Sequence, residues 1–259
     1  MATNPNKRRL DRLLVDRGLA NSRARAQWLI REGRIEVAGR PVLRPSASVP
    51  SDAPIEVVKP LPYVSRGGIK LAHALDAFQI DVKGRVTLDV GASTGGFTDC
   101  LLQRGAARVY AVDVGREQLH PRLRQDPRVT SLEKTDIRDL ESLPKEVLVE
   151  LAVIDVSFIS LRLVLPAVLR LLRPTGEIVA LIKPQFEVGP GVVGRSGVVR
   201  RRADRRRALR EVLAFAQDLE LVPTGLCPAP RDRRRRNVEY LVHLQRPGPG
   251  VEPRPDLLL

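Results

Sequence analysis

Two short amphipathic helices are predicted at the start of the chain. Gly18 can end the first helix, within residues 8–19, while Ser22 can cap the second and Gly33 can end it. The apolar positions expected to be buried recur at helical spacing: Leu10, Leu13, Leu14, Ala24, Ala26, Leu29 and Ile30. Short strands are predicted at 34–37 and 55–58, so this block reads as a small α+β domain.

The rest of the chain alternates strand and helix signals. Strands are predicted at 85–90, 109–112, 129–132, 149–154, 177–182 and 238–244. Helices are predicted at 95–104, 161–172 and 203–217. This alternation favours an α/β, Rossmann-like, doubly wound sheet that is mostly parallel. The expected organisation is a first domain at 1–58, a linker at 59–65, a second domain at 66–246 and a disordered tail at 247–259.

Composition narrows the class of protein. The 259 residues are 43% hydrophobic, but no apolar run approaches the roughly 20 residues that cross a bilayer, and no secretory signal is visible. We therefore expect a cytoplasmic protein without a membrane partner. Cys100 and Cys227 have no CxxC or histidine spacing, so both are expected to be buried thiols, and no metal is expected.

The positive charge is concentrated in two segments. The net charge is +14, and residues 1–60 and 195–236 contribute +6 and +8 of it. A polyanion partner explains this distribution, because each Lys or Arg on a phosphate releases counterions. The alternative is a solvated surface in an Arg-rich proteome, which 37 Arg against 7 Lys would also fit.

A glycine-rich turn follows the first strand of the second block. Gly91, Gly95 and Gly96 have the wrong spacing for a dinucleotide, whereas Asp89 suits a cationic ligand and Asp113 ends the next strand, where a ribose diol would be held. S-adenosyl-L-methionine combines both features. The candidate cofactor residues are Asp89, Gly91, Ser93, Thr94, Gly95, Gly96, Phe97, Asp113 and Asp136.

The first block resembles the S-four-type RNA-binding domain. The resemblance is carried by RLDRLL at 9–14, GLA at 18–20, SRARA at 22–26 and single positions up to Pro45, and it covers nearly all of 8–58. It implies a positive face for a folded RNA backbone. The candidate RNA-binding residues are Arg9, Arg12, Arg23, Arg25 and Arg66. Trp28 is predicted to be a core residue.

The second block carries motifs that are specific in combination. They are VSRGGIKL at 64–71, LDVGASTGGFTD at 88–99, VIDVSF at 153–158, IKPQFE at 182–187 and NVEY at 237–240. Over about residues 8–245 the chain resembles the TlyA (hemolysin A) family of ribosomal RNA methyltransferases, whose catalytic domain is FtsJ-like. The resemblance implies a class I methyltransferase sheet with an antiparallel last strand. It also implies that the protein methylates the ribose 2′-hydroxyl of cytidine. The expected partner is ribosomal RNA or a ribosomal subunit.

The same resemblance implies that Lys70, Asp155, Lys183 and Glu239 form a Lys-Asp-Lys-Glu constellation. A ribose hydroxyl is a poor nucleophile until its proton is removed, and a lysine held away from water can take that proton. We assign this role to Lys183. Asp155 would orient Lys183, Glu239 would fix Lys70, and Lys70 would hold the target nucleotide or its phosphate.

The sequence departs from the family pattern at an arginine run, 231–236, and at Arg201, which replaces a usual aspartate. These arginines are interpreted as substrate contacts, the alternative being a solvated face. Two rival functions remain, a membrane-active hemolysin and a non-catalytic RNA-binding assembly factor. No spanning helix supports the first, and the complete set of lysine and acidic positions argues against the second.

Overall fold

The computed structural model describes residues 7–58, 62–189, 191–194, 197–230, 237–252 and 254. The chain forms two compact units, Met1–Pro62 and Tyr63–Leu259, which divide within the predicted linker. The arginine run at 231–236 and most of the tail beyond residue 252 lie outside the described residues.

The first unit is a small α+β domain. Its elements are β1 (Lys7–Arg9), α1 (Leu10–Asp16), α2 (Arg23–Arg31), β2 (Ile35–Val37), β3 (Arg40–Pro41), β4 (Ser48–Pro50) and β5 (Ile55–Val57). Strand β1 pairs with β4, and β2 lies between β3 and β5, all antiparallel. The Ser22 hydroxyl accepts a hydrogen bond from the Arg25 amide, so the predicted cap of α2 is confirmed.

Two side chains predicted for the core of this unit are exposed. Ala24 lies on the outer face of α2, and the Trp28 side chain is 42% exposed. The buried stripe of α2 is narrower than the sequence suggested, consisting of Ala26, Leu29 and Ile30. A nine-residue helix that packs on one side has room for only this many inward positions.

The second unit is a seven-stranded α/β layer structure. Its helices are α3 (Gly67–Ala77), α4 (Gly96–Gln103), α5 (Pro121–Arg124), α6 (Leu161–Leu171), α7 (Pro184–Glu187) and α8 (Arg202–Asp218). Its strands are β6 (Val86–Val90), β7 (Arg108–Asp113), β8 (Val129–Glu133), β9 (Val149–Ile154), β10 (Leu172–Ile182), β11 (Val222–Pro228) and β12 (Tyr240–Gln245). The strand order is β11-β12-β10-β9-β6-β7-β8. Strand β12 is antiparallel to both β11 and β10, and the other neighbouring pairs are parallel. The predicted fold class, including the antiparallel last strand, is confirmed.

Four of these helices and strands were not predicted, namely α3, α5, α7 and β11. Strand β11 contains two prolines and a glycine, which weaken a strand signal, but β11 lies at the sheet edge, where proline is tolerated. Helix α3 begins at Gly67 without a side-chain cap. Cys100 is buried as predicted, whereas Cys227 on β11 is only partly buried.

The core covers both faces of the sheet. One apolar cluster joins α6 and α8 to β9 and β10, and the other joins α3 and α4 to the opposite face. The central strands are therefore buried on both sides, which explains their nearly continuous apolar sequence. None of the helices among the described residues has the length and apolar character needed to span a membrane.

Candidate active site

A cavity of about 470 Å³ lies at the carboxyl edge of the sheet. Its walls come from the segments that follow β6, β7, β8 and β9, as expected for a doubly wound sheet. The lining residues are Val90, Gly91, Ser93, Val112, Asp113, Val114, Gln118, Thr135, Asp136, Ile137, Arg138, Asp155, Val156, Ser157, Phe158, Ile159 and Val164. This cavity is large enough for a nucleoside-sized ligand.

Four of the predicted cofactor residues line this cavity, namely Gly91, Ser93, Asp113 and Asp136. The other five, Asp89, Thr94, Gly95, Gly96 and Phe97, are not among its described lining residues. The sequence placed the whole glycine turn around the ligand. In the structure, Gly91 and Ser93 line the cavity, Thr94 is exposed, and Gly95, Gly96 and Phe97 are buried.

Two of the three acidic residues that line the cavity, Asp113 and Asp136, are held by backbone amides. Asp113 accepts hydrogen bonds from the Ser93 and Gly115 amides, each at 2.7 Å. Asp136 accepts from the Arg138 amide at 2.9 Å, and the guanidinium of the same arginine hydrogen-bonds its carboxylate and lowers the pKa of Asp136. Asp136 is therefore negatively charged at neutral pH.

Asp89 is fully buried behind the cavity. It accepts hydrogen bonds from the Thr98 amide at 2.8 Å and the Thr98 hydroxyl at 2.6 Å, which ties the end of β6 to α4. Burial raises the pKa of Asp89 to about 7, and the Thr98 hydrogen bonds only partly offset this effect. In this structure Asp89 contacts the protein's own helix.

Each of the three glycines in the turn packs closely against a different part of the protein. A Cβ at Gly91 would lie 2.7 Å from the Asp155 carbonyl oxygen, and a Cβ at Gly95 would overlap the Leu119 and Leu123 side chains. Gly91 and Gly95 have φ values of +82° and +95°, which favour glycine.

The third glycine, Gly96, packs against the chain that begins α3. A Cβ there would overlap the Ser65 hydroxyl and lie 2.9 Å from the Gly68 amide nitrogen. The VSRGG and TGG motifs thus pack directly against each other. Gly96 sets the approach of α3, the helix that carries Lys70.

Lys183 and Asp155 form a buried ion pair at the rim of the cavity. Each residue directly follows its strand, β10 or β9, and these strands are parallel neighbours. The Lys183 Nζ lies 2.6 Å from Asp155 Oδ1 and donates to the Ser157 hydroxyl at 2.9 Å. The Lys183 side chain is 6% exposed and that of Asp155 is 21% exposed. The amine is thus shielded from bulk water and contacts two residues that line the cavity, Asp155 and Ser157.

Lys70 and Glu239 form a second buried ion pair. Lys70 Nζ donates to Glu239 Oε2 at 2.6 Å. Glu239 immediately precedes β12, where Tyr240 is opposite Ile182 of β10, so it adjoins Lys183 across neighbouring strand ends. The four residues implied by the family resemblance therefore form two pairs at one edge of the sheet.

Sequence reasoning missed an exposed aromatic side chain beside this edge. Phe158 is 91% exposed, has a φ of +64° and lies 5.1 Å from the Phe186 ring centroid to centroid. It belongs to the quoted VIDVSF motif, three residues after Asp155. An apolar ring held in solvent at a motif position is the signal that could have identified it.

The predicted RNA-binding arginines of the first unit differ in their contacts. Arg9 and Arg23 both bind buried Asp11, at 3.0 and 2.9 Å, and their hydrogen bonds, that from Arg9 above all, hold the pKa of Asp11 well below its usual range. The Arg25 guanidinium lies 4.2 Å from the Trp28 ring centroid.

The remaining two candidates lie apart in sequence. Arg12 is exposed on α1. Arg66, in the second unit, precedes α3, and its carbonyl accepts from the Ile69 and Lys70 amides.

Comparison with known proteins places this chain in a family. The family described as FtsJ-like methyltransferase matches residues 63–246, and the S4 domain matches residues 8–54. A Mycobacterium tuberculosis protein named 16S/23S rRNA (cytidine-2′-O)-methyltransferase TlyA is 46% identical over 239 residues, covering 92% of this chain and 89% of that protein.

Solved structures agree with this relationship. A Streptococcus thermophilus protein named as a hemolysin is 41% identical, with a TM-score of 0.73 over 94% of this chain and 90% of that chain. The 1,6-didemethyltoxoflavin-N1-methyltransferase of Burkholderia thailandensis, solved with S-adenosylhomocysteine, is 19% identical and shares the fold, with a TM-score of 0.50 over 70% of this chain and 79% of that chain. The chain therefore belongs to the FtsJ-like methyltransferase family, in the TlyA (hemolysin A) group that joins an S4 domain to the methyltransferase fold.

Proposed function

We propose that this protein methylates the ribose 2′-hydroxyl of cytidine in ribosomal RNA, with S-adenosyl-L-methionine as methyl donor. The observation that carries the proposal is the Lys183–Asp155 pair, because Asp155 also lines the cavity in which a cofactor would lie. The substrate class is supported by the 46% identical relative named for this reaction.

The cavity residues fit the proposed cofactor. Asp113 and Asp136 offer carboxylates to hydroxyl or amine donors, and Val90, Val112 and Ile137 offer an apolar wall to a flat ring. We assign Asp113 to the ribose hydroxyls. The bound cofactor supplies an electrophilic methyl group on a positively charged sulfur.

Lys183, as the neutral amine that has released its own proton, is the proposed acceptor of the hydroxyl proton. Its Nζ is held by Asp155 and Ser157, so its position does not depend on the arrival of substrate. Such fixed placement favours proton transfer, because the acceptor must lie within hydrogen-bond reach of the attacking hydroxyl. The Asp155 carboxylate orients the amine.

Lys70 is the proposed contact for the target nucleotide. Glu239 holds its Nζ on one side, and an ammonium has three donor directions, which leaves others for a phosphate or ribose oxygen. Because Lys70 lies on α3, the packing of Gly96 against Gly68 sets its position.

The first unit supplies RNA affinity in this proposal. The S4 domain match and the excess positive charge of residues 1–60 support this role. Arg12 and Arg25 are the candidate arginines whose guanidinium groups have no acidic partner among the described residues, whereas Arg9 and Arg23 bind Asp11.

The direct test is methyl transfer to unmethylated ribosomal subunits. The purified protein should transfer labelled methyl groups from the cofactor, and digestion should recover 2′-O-methylcytidine. A substrate with 2′-deoxycytidine at the mapped position should accept no methyl group. Methylation of a base instead of the ribose would contradict the proposal.

A further inference from the structure

Helix α8 carries a row of arginines on its outer face. Arg202, Arg206 and Arg210 are spaced four residues apart and are exposed. Residues at this spacing lie on one side of a helix, each about 6 Å along the axis from the last. We propose that these three side chains, the α8 stripe, form a second RNA-binding surface that holds backbone phosphates of the substrate.

The three side chains have no partner in the part of the chain that the structure describes. None of them takes part in a described hydrogen bond, ion pair or ring contact. Two neighbouring arginines of α8 do have partners. Arg205 donates to the Val199 and Arg200 carbonyls, and Arg207 lies 3.7 Å from Asp204 and 3.8 Å from Glu211. The unpaired arginines are thus segregated onto one face.

The opposite face of α8 is buried. Ala208, Val212, Leu213 and Ala216 pack into the domain. Because Ala208 lies roughly half a turn from both Arg206 and Arg210, packing of the helix directs the stripe away from the core. The orientation of α8 on the domain therefore places the three arginines together on the surface. A count of charges along the sequence could not show this orientation.

The amino-terminal end of α8 adjoins the active-site edge. Helix α7 directly follows Lys183 and packs against α8, and Val188, Val199 and Ala208 form one apolar cluster. The Asn237 side chain accepts from the Val199 amide at 2.9 Å and donates to the Gly197 carbonyl at 2.7 Å. Asn237 lies two residues before Glu239, so the stripe begins near both ion pairs and runs about 12 Å away from them.

Nucleic acid is the occupant that charge complementarity favours. A strand places one phosphate every few Å along its axis, so a row of about 12 Å can contact about three phosphates. This inference rests on the proposed function, which brings an RNA substrate to the neighbouring edge. It adds a binding surface on the methyltransferase domain itself, separate from the S4 domain.

The test is the salt dependence of RNA binding by the full-length protein. Binding of a ribosomal RNA fragment is measured between 50 and 200 mM salt for the wild type and for Arg202→Ala/Arg206→Ala/Arg210→Ala. Each phosphate contact contributes about 0.7 to 0.9 to the slope of log K against log salt. Over this range the wild type should therefore lose about 20- to 40-fold more affinity than the triple variant.

Two single variants serve as matched controls for Arg206→Ala. Arg207→Ala removes the same charge from the adjacent position, which faces Asp204 and Glu211. Arg108→Ala removes an exposed arginine at the amino end of β7, on the opposite edge of the sheet. Only Arg206→Ala should lower the slope by close to one contact, and all three proteins should unfold at the same temperature.

The outcomes separate this inference from the proposed function. An unchanged slope in the triple variant, or equal changes in Arg206→Ala and Arg108→Ala, would overturn the stripe even if methyl transfer occurs. A lowered slope with no ribose methylation by the wild type would keep the stripe and reject the proposed reaction. Loss of binding to phosphatidylserine vesicles without any change in RNA binding would assign the stripe to a membrane surface and overturn the RNA contact.

Discussion

Gly91 packs against the backbone of Asp155 so closely that any side chain at position 91 would displace it. A Cβ there would lie 2.7 Å from the Asp155 carbonyl oxygen and 3.0 Å from its carbonyl carbon. Because Asp155 holds Lys183, the glycine turn and the proposed proton acceptor belong to one packed unit.

Gly91→Ala should therefore lower both stability and catalysis. The residue needs a positive φ, and the new methyl group also pushes on Asp155, so the methyl-transfer rate should fall tenfold or more. Gly84→Ala is the matched control, since Gly84 has a φ of +75° and nothing within 4 Å of a Cβ. It should lose only about 1 to 2 kcal/mol of stability. Equal rates for the two variants would contradict the coupling.

Gly95→Val should act through packing and not through overlap with the ligand. Gly95 is one of the cofactor residues expected from the sequence, but a side chain there would meet Leu119 and Leu123. Overpacking of this kind costs about 1 to 3 kcal/mol in addition to the strain of positive φ. Leu123→Ala should restore part of the stability of Gly95→Val in thermal unfolding. A fully stable variant that binds no cofactor would support the original expectation.

Lys183→Ala should separate chemistry from binding. Removal of the amine should lower methyl transfer by about 10²-fold or more, while cofactor affinity by calorimetry stays near that of the wild type. Lys183→Arg keeps the charge but cannot release a proton near neutral pH, so it should be as slow. Lys83→Arg, at an exposed lysine, is the control and should be unaffected. A fast Lys183→Arg enzyme would show that Lys183 provides charge alone.

The raised pKa of Asp89 leads us to expect a specific pH dependence of stability. Its pKa is about 7 in the folded protein, against about 3.9 in an unfolded chain. Between these values the folded state holds a proton that the unfolded state has released, so the free energy of unfolding falls as pH rises from about 4 to 7. The fall can reach about 4 kcal/mol.

Asp89→Asn should remove this contribution, because asparagine does not titrate. Denaturant unfolding at pH 5 and pH 8 compares the two proteins, with Asp81→Asn, at an exposed aspartate, as control. The same difference between the two pH values in Asp89→Asn and the wild type would show that Asp89 is ionised throughout.

The arginines of the first unit should fall into two classes. Arg12→Ala should lower the salt slope of RNA binding by about 0.7 to 0.9 and leave stability unchanged, because Arg12 is exposed. Arg23→Ala removes a partner of buried Asp11 and should also lower the unfolding temperature. Unfolding curves and filter binding at several salt concentrations distinguish the two effects.

The sequence alone determined the fold class and the edge of the sheet at which the site lies. Strand β9 occupies the residues predicted for it, and Asp155 and Lys183 each follow a predicted strand. This works because the strand period is local, and because parallel neighbours bring their carboxyl ends to one edge. Motif residues that directly follow neighbouring parallel strands can therefore be predicted to lie close together from the sequence alone.

Only the tertiary structure decided which groups touch. The Asp89 carboxylate accepts hydrogen bonds from Thr98, and Gly96 packs against the start of α3. The same holds for Asp11, which binds two of the predicted RNA-binding arginines. These outcomes depend on side-chain packing between segments distant in the chain, and neither periodicity nor composition carries that information.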